Sequence, residues 1–117
     1  MERVNIPIYN ITLCMSEDIG SIVDEIKSDV DDIEDMYIPP TTTGYTARVV
    51  GDGEVVIYIY ANSIPTAAHE SFHSAREVFI QINDDPFATD NSEPFTYLLE
   101  WIMRQYMGFR GWPQHLA

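Results

Sequence analysis

Residues 45–82 read YTARVVGDGEVVIYIYANSIPTAAHESFHSAREVFIQI. Two runs rich in β-branched and aromatic residues, about Tyr45 to Val50 and Val55 to Tyr60, flank Gly51-Asp52-Gly53-Glu54. Such a pattern predicts an antiparallel hairpin closed by a tight turn. The second run is apolar throughout and reads as the better buried strand. After Asn62 and Ser63 the period changes. Pro65 suits a first helical turn, and Ala68, Phe72, Ala75, Phe79 and Ile82 predict a helix over about 64–82.

Working outward toward the N-terminus, Val4 to Met15 is rich in β-branched residues but carries Pro7 and Asn10, as an interrupted or edge strand would. Ile19, Ile22, Val23, Ile26, Val30 and Ile33 then recur at helical intervals, with Asp24, Glu25, Asp29, Asp31 and Asp32 turned to water and Ser16 or Asp18 as the cap. Pro39 and Pro40 end that helix, and the threonines before Gly44 form a loop. Toward the C-terminus, 83–92 is a polar loop. A third helix from about Glu93 to Met107 turns Phe95, Leu98, Leu99, Ile102 and Met103 inward. Gly108 and Gly111 end it, and His115 falls in a solvated tail. The order of elements predicts a single domain over 1–117 of α+β class, a small antiparallel sheet with three helices on one side.

Composition narrows the functions open to such a domain. At 117 residues with 45% hydrophobic content the chain can pack one core, so any site is built on that core. Nineteen acidic residues against six basic ones give a net charge of −13, which opposes phosphate backbones and anionic lipid, so neither nucleic acid nor membrane is an expected partner. Cys14 is the lone cysteine and lies in an apolar stretch, where a thiol acts as a small core residue and suits a reducing cytoplasm.

Within the central helix stands His69-Glu70-Ser71-Phe72-His73. Residues four apart are rotated by about 40° and separated by about 6 Å along a helix, so both imidazoles can reach one zinc ion from the same face. Glu70 is rotated by about 100°, away from the metal and toward the position where a reacting water sits, which is the place of a general base. A catalytic zinc needs a third protein ligand, for which Glu77, Glu93 and Glu100 are candidates. Glu77 is displaced one turn along the same helix, Glu93 opens the third helix, and Glu100 lies two turns beyond it.

The motif preceded by Ala67-Ala68 and followed by Glu93-Pro94-Phe95-Thr96-Tyr97-Leu98-Leu99 resembles the small metallopeptidases encoded by bacteriophages. The opening Val4 to Asn10 and the run Val56 to Ile59 are similar to that family too, whereas the stretch from about Gly108 onward has no match in it. Members are gluzincin-like by motif. The resemblance implies a minimal zincin-like core, Zn2+ as cofactor, Glu93 as third ligand beside His69 and His73, and a location in the cytoplasm of the host cell.

The expected activity is hydrolysis of a peptide or protein substrate, with Glu70 as base. Tyr97, one turn after Glu93, is a candidate for steadying the oxyanion. The strand Val55 to Tyr60 is a candidate for holding an extended peptide along a sheet edge. The rival reading is a non-catalytic acidic module that captures a host protein, with or without structural zinc.

Overall fold

The computed structural model of the chain describes residues 1–29, 37–51 and 53–113. Strands β1 (Glu2–Ile6) and β2 (Ile11–Ser16) precede helix α1 (Ile19–Asp29); β3 (Gly44–Gly51) and β4 (Glu54–Ala61) precede α2 (Ile64–Gln81) and α3 (Ser92–Arg110). Val30, Asp31, Asp32, Ile33, Asp52 and His115, all given roles above, lie outside the described residues. The stretch read as one interrupted strand is a hairpin, with Ile6 opposite Ile11 and the turn made by the residues between, where Asn10 takes φ 55°.

The α+β class with a small sheet and three helices holds, but the sheet is mixed rather than antiparallel. Its order is β1-β2-β4-β3, and the central pair β2 and β4 runs parallel. Parallel neighbours need a crossover, which here is α1 followed by β3. The helices also divide between two faces instead of sharing one. Ile57, Ile59 and Ala61 of β4 pack with residues of α2 and α3, whereas Val56 and Tyr58 pack with Ile19, Ile22 and Ile26 of α1. A strand covered on both faces must be apolar at every position, which is why β4 reads as an unbroken hydrophobic run. Cys14 is buried on the α1 side, where desolvation pushes its thiol up.

Asp18 caps α1, its carboxylate accepting from the Ser21 amide at 2.8 Å and the Ser21 hydroxyl at 2.7 Å. Ser63 caps α2, with Pro65 in the first turn. Of the stripe Ala68, Phe72, Ala75, Phe79 and Ile82, only Ala75 and Phe79 are buried, and the buried face of α2 is completed by Ala67, Glu70, Ser71, Ser74 and Val78. Small residues let the helix lie close to the sheet, and they carry little hydrophobic signal, so larger side chains outside the interface dominate the apparent period. Phe72 is 36% and Ile82 41% exposed.

Helix α3 buries Phe95, Leu98, Ile102, Tyr106 and Met107 and runs through Gly108 to Arg110, ending at Gly111 with φ 70°. The fully buried Tyr106 hydroxyl joins three elements: it donates to Ser16 O at 2.7 Å and accepts from the Ala61 amide at 2.8 Å. Removing it strands a buried amide and a buried carbonyl, at a cost of about 1–3 kcal/mol. Thermal unfolding of Tyr106→Phe is therefore expected roughly 5–10 °C below wild type. An unchanged midpoint would show that the hydroxyl is not a structural tie.

Candidate metal centre

The alternation of β3 decides what α2 meets. Gly44, Thr46 and Arg48 face α2, while Tyr45, Ala47 and Val49 pack on the α1 side. Arg48 Nε sits 3.1 Å from a Glu77 carboxylate oxygen, and Arg48 donates to Gln81 Oε1 at 2.8 Å, which fixes the C-terminal half of α2 against the strand. Glu77 is thus engaged with β3. At its N-terminal half α2 comes so close that a Cβ on Gly44 would lie 2.5 Å from Thr66 Cγ2 and 2.7 Å from Glu70 Oε2. Any larger residue there requires Thr66 and Glu70 to shift.

His69 and His73 converge as their spacing requires. Their Nε2 atoms are 3.0 Å apart and the rings meet edge to face at 76°. Two nitrogens on one tetrahedral zinc at 2.0–2.1 Å are separated by about 3.3 Å, so a small adjustment of the rings admits the ion. The His69 side chain is 67% exposed, which leaves room for solvent or substrate on the outer side.

Glu70 is buried, rotated off the histidine face toward β3. Thr46 Oγ1 donates to Glu70 Oε1 at 2.7 Å, and Glu70 Oε2 lies 4.0 Å from His69 Nε2 above Gly44. The two oxygens therefore have different surroundings: one is held by a hydroxyl, and the other faces the histidines. An open depression of about 390 Å³ lined by Thr43, Gly44, Pro65, Thr66, His69 and Glu70 gives access to it. The two imidazole nitrogens are zinc-type donors at nearly the separation of a tetrahedral site, and a carboxylate lies beside them.

The structure does not bring the other expected residues to this point. Among the described residues no group of three or more His, Cys, Asp or Glu gathers at ligand spacing. Glu93 is exposed in the first turn of α3, about 160° around the helix from Phe95, whose ring packs on Phe72 and Phe79 of α2. Glu100 pairs with Arg104 at 2.6 Å. Tyr97 is 65% exposed and lines a groove with Pro7, Ile8, Tyr9, Pro94, Leu98 and Trp101, with neither His69 nor Glu70 in its wall.

Thr46 and Gly44 are site residues that sequence reasoning missed. A threonine and a glycine in a strand carry no chemical signature until the register of β3 against α2 is known. Gly44→Ala is expected to push the Glu70 carboxylate aside and break its 2.7 Å contact with the Thr46 hydroxyl, at a cost of about 1 kcal/mol read as a lowered midpoint of thermal unfolding. An unchanged midpoint would show that the close approach is not required. No protein-family model, curated protein or solved structure matches this chain, so the reading of the site rests on its own geometry.

Proposed function

We propose that the protein is a zinc-dependent hydrolase, a metallopeptidase of gluzincin type, in which His69 and His73 hold the metal and Glu70 is the general base. The observation that carries this reading is the pair of Nε2 atoms 3.0 Å apart with a buried carboxylate oxygen 4.0 Å from one of them. A zinc ion supplies Lewis acidity, drawing the pKa of water toward about 7 and polarising a carbonyl. Glu70 Oε2 accepts the proton as water attacks and delivers it to the leaving amine. Thr46 keeps the other oxygen occupied, so the carboxylate cannot swing away from the cleft.

Within this proposal Glu93, the third ligand that the resemblance implies, would reach the metal only if the first turn of α3 unpacked, because its side chain is exposed on the side away from Phe95. The peptide lies along β3. Among the described residues the central strand β4 is paired on both sides, whereas β3 pairs with β4 alone and carries Thr46, whose hydroxyl bonds Glu70. An extended segment added there gains main-chain hydrogen bonds and crosses the cleft next to the histidines.

The test is to purify the protein, count zinc per chain and assay hydrolysis of unstructured polypeptides before and after chelation. One zinc per chain and chelator-sensitive cleavage support the proposal. A metal-free protein that takes up no added zinc contradicts it.

A further inference from the structure

We infer that the wall of this cleft opposite β3 receives a bulky apolar side chain flanked by lysine or arginine, making the substrate class a cationic peptide segment. The inference rests on reading α2 as the floor of a peptide cleft, and it names what that cleft selects.

The first support is an exposed aromatic patch continuous with the histidines. The Phe72 ring centroid lies 6.1 Å from that of His73 and 6.2 Å from that of Phe87, and both phenylalanines contact Phe95 beneath. Phe72 is 36% and Phe87 67% exposed. A hydrogen-bonded loop holds Phe87 in this position. Asp85 Oδ1 accepts from the Phe87 amide at 2.9 Å, and the Asn91 side-chain amide donates to Asp84 Oδ1 at 3.0 Å and Asp85 O at 2.6 Å. A loop tied in this way around an outward phenylalanine presents apolar surface beside a polar site.

Charge identifies the occupant. The loop that carries Phe87 exposes three carboxylates, Asp84, Asp85 and Asp90, while Glu77 and Glu100 are already paired with Arg48 and Arg104. Against them stands one exposed cation on α2 a turn from Phe72, Arg76, so the acids outnumber the bases beside the rings. A second copy of a chain of charge −13 is repelled, as is any acidic peptide. An apolar residue with basic neighbours satisfies both features, since its side chain covers the rings and its flanking cations meet the carboxylates and ring faces.

The test uses short fluorescent peptides and two proteins, zinc-saturated Glu70→Gln and metal-free wild type, so that binding is read without turnover. A Lys-Phe-Lys peptide is expected to bind about tenfold more tightly than Lys-Ala-Lys or Glu-Phe-Glu, with the charge advantage shrinking as salt rises. Phe87→Ala should erase the Phe-over-Ala preference and Phe87→Leu should keep it, both with wild-type melting temperature. Equal binding of all three peptides, no binding of Lys-Phe-Lys, or a preference that survives Phe87→Ala overturns the inference. Selective binding in a protein that takes up no zinc would retire the hydrolase proposal and leave the docking wall. Zinc-dependent cleavage without selectivity would do the reverse.

Discussion

Glutamine in place of Glu70 is expected to lower hydrolysis by about 10³-fold while the protein keeps its zinc and its stability. The substitution is nearly isosteric. The amide oxygen can still accept the Thr46 hydroxyl that now reaches Glu70 Oε1 at 2.7 Å, so the buried position remains satisfied. What changes is the atom above Gly44, where an NH2 group stands in place of a carboxylate oxygen and cannot take a proton from water. Zinc content, melting temperature and turnover on one preparation separate the two effects. Wild-type activity in Glu70→Gln removes this residue from catalysis and favours the acidic capture module.

The second large effect concerns the metal. If the histidines hold zinc as proposed, the ion at about 100 times its Kd is expected to stabilise the folded chain by about 2.7 kcal/mol, a rise of roughly 10 °C in melting temperature for a domain of this size. His69→Ala and His73→Ala should each abolish most of that rise. His69→Ala should leave the metal-free melting temperature nearly unchanged, because its side chain is 67% exposed and exposed substitutions stay within about 0.5 kcal/mol. His73 is half-buried against Phe72, so its variant is compared with its own metal-free baseline. An equal zinc response in wild type and both variants places the ion elsewhere.

The paired strands β3 and β4, the helix that follows and its two histidines were legible in the sequence because each signal is local: a glycine turn between apolar runs, a proline after a serine cap, and imidazoles one turn apart. The interruption at Pro7 and Asn10 was noticed, yet its meaning as a hairpin turn depends on Ile6 meeting Ile11. The parallel pairing of β2 with β4 and the placement of α1 on the far face are long-range choices. They are marked in sequence only by β4 being apolar at every position. The inner face of α2 was misread because Ala67, Ser71 and Ser74 contribute close approach rather than hydrophobicity. Glu93 is implied by the resemblance and Tyr97 by lying one turn after it, and the rotation of α3, set by Phe95, Leu98 and Ile102 facing the core, leaves both side chains exposed.

That two imidazoles and a neighbouring carboxylate form one zinc centre is tested most directly by anomalous scattering at the zinc edge from zinc-soaked crystals. The account expects a single strong peak about 2.0–2.1 Å from Nε2 of both His69 and His73, with Glu70 facing its solvent side. No peak between the rings, with the imidazoles still within hydrogen-bonding distance of one another, would contradict it.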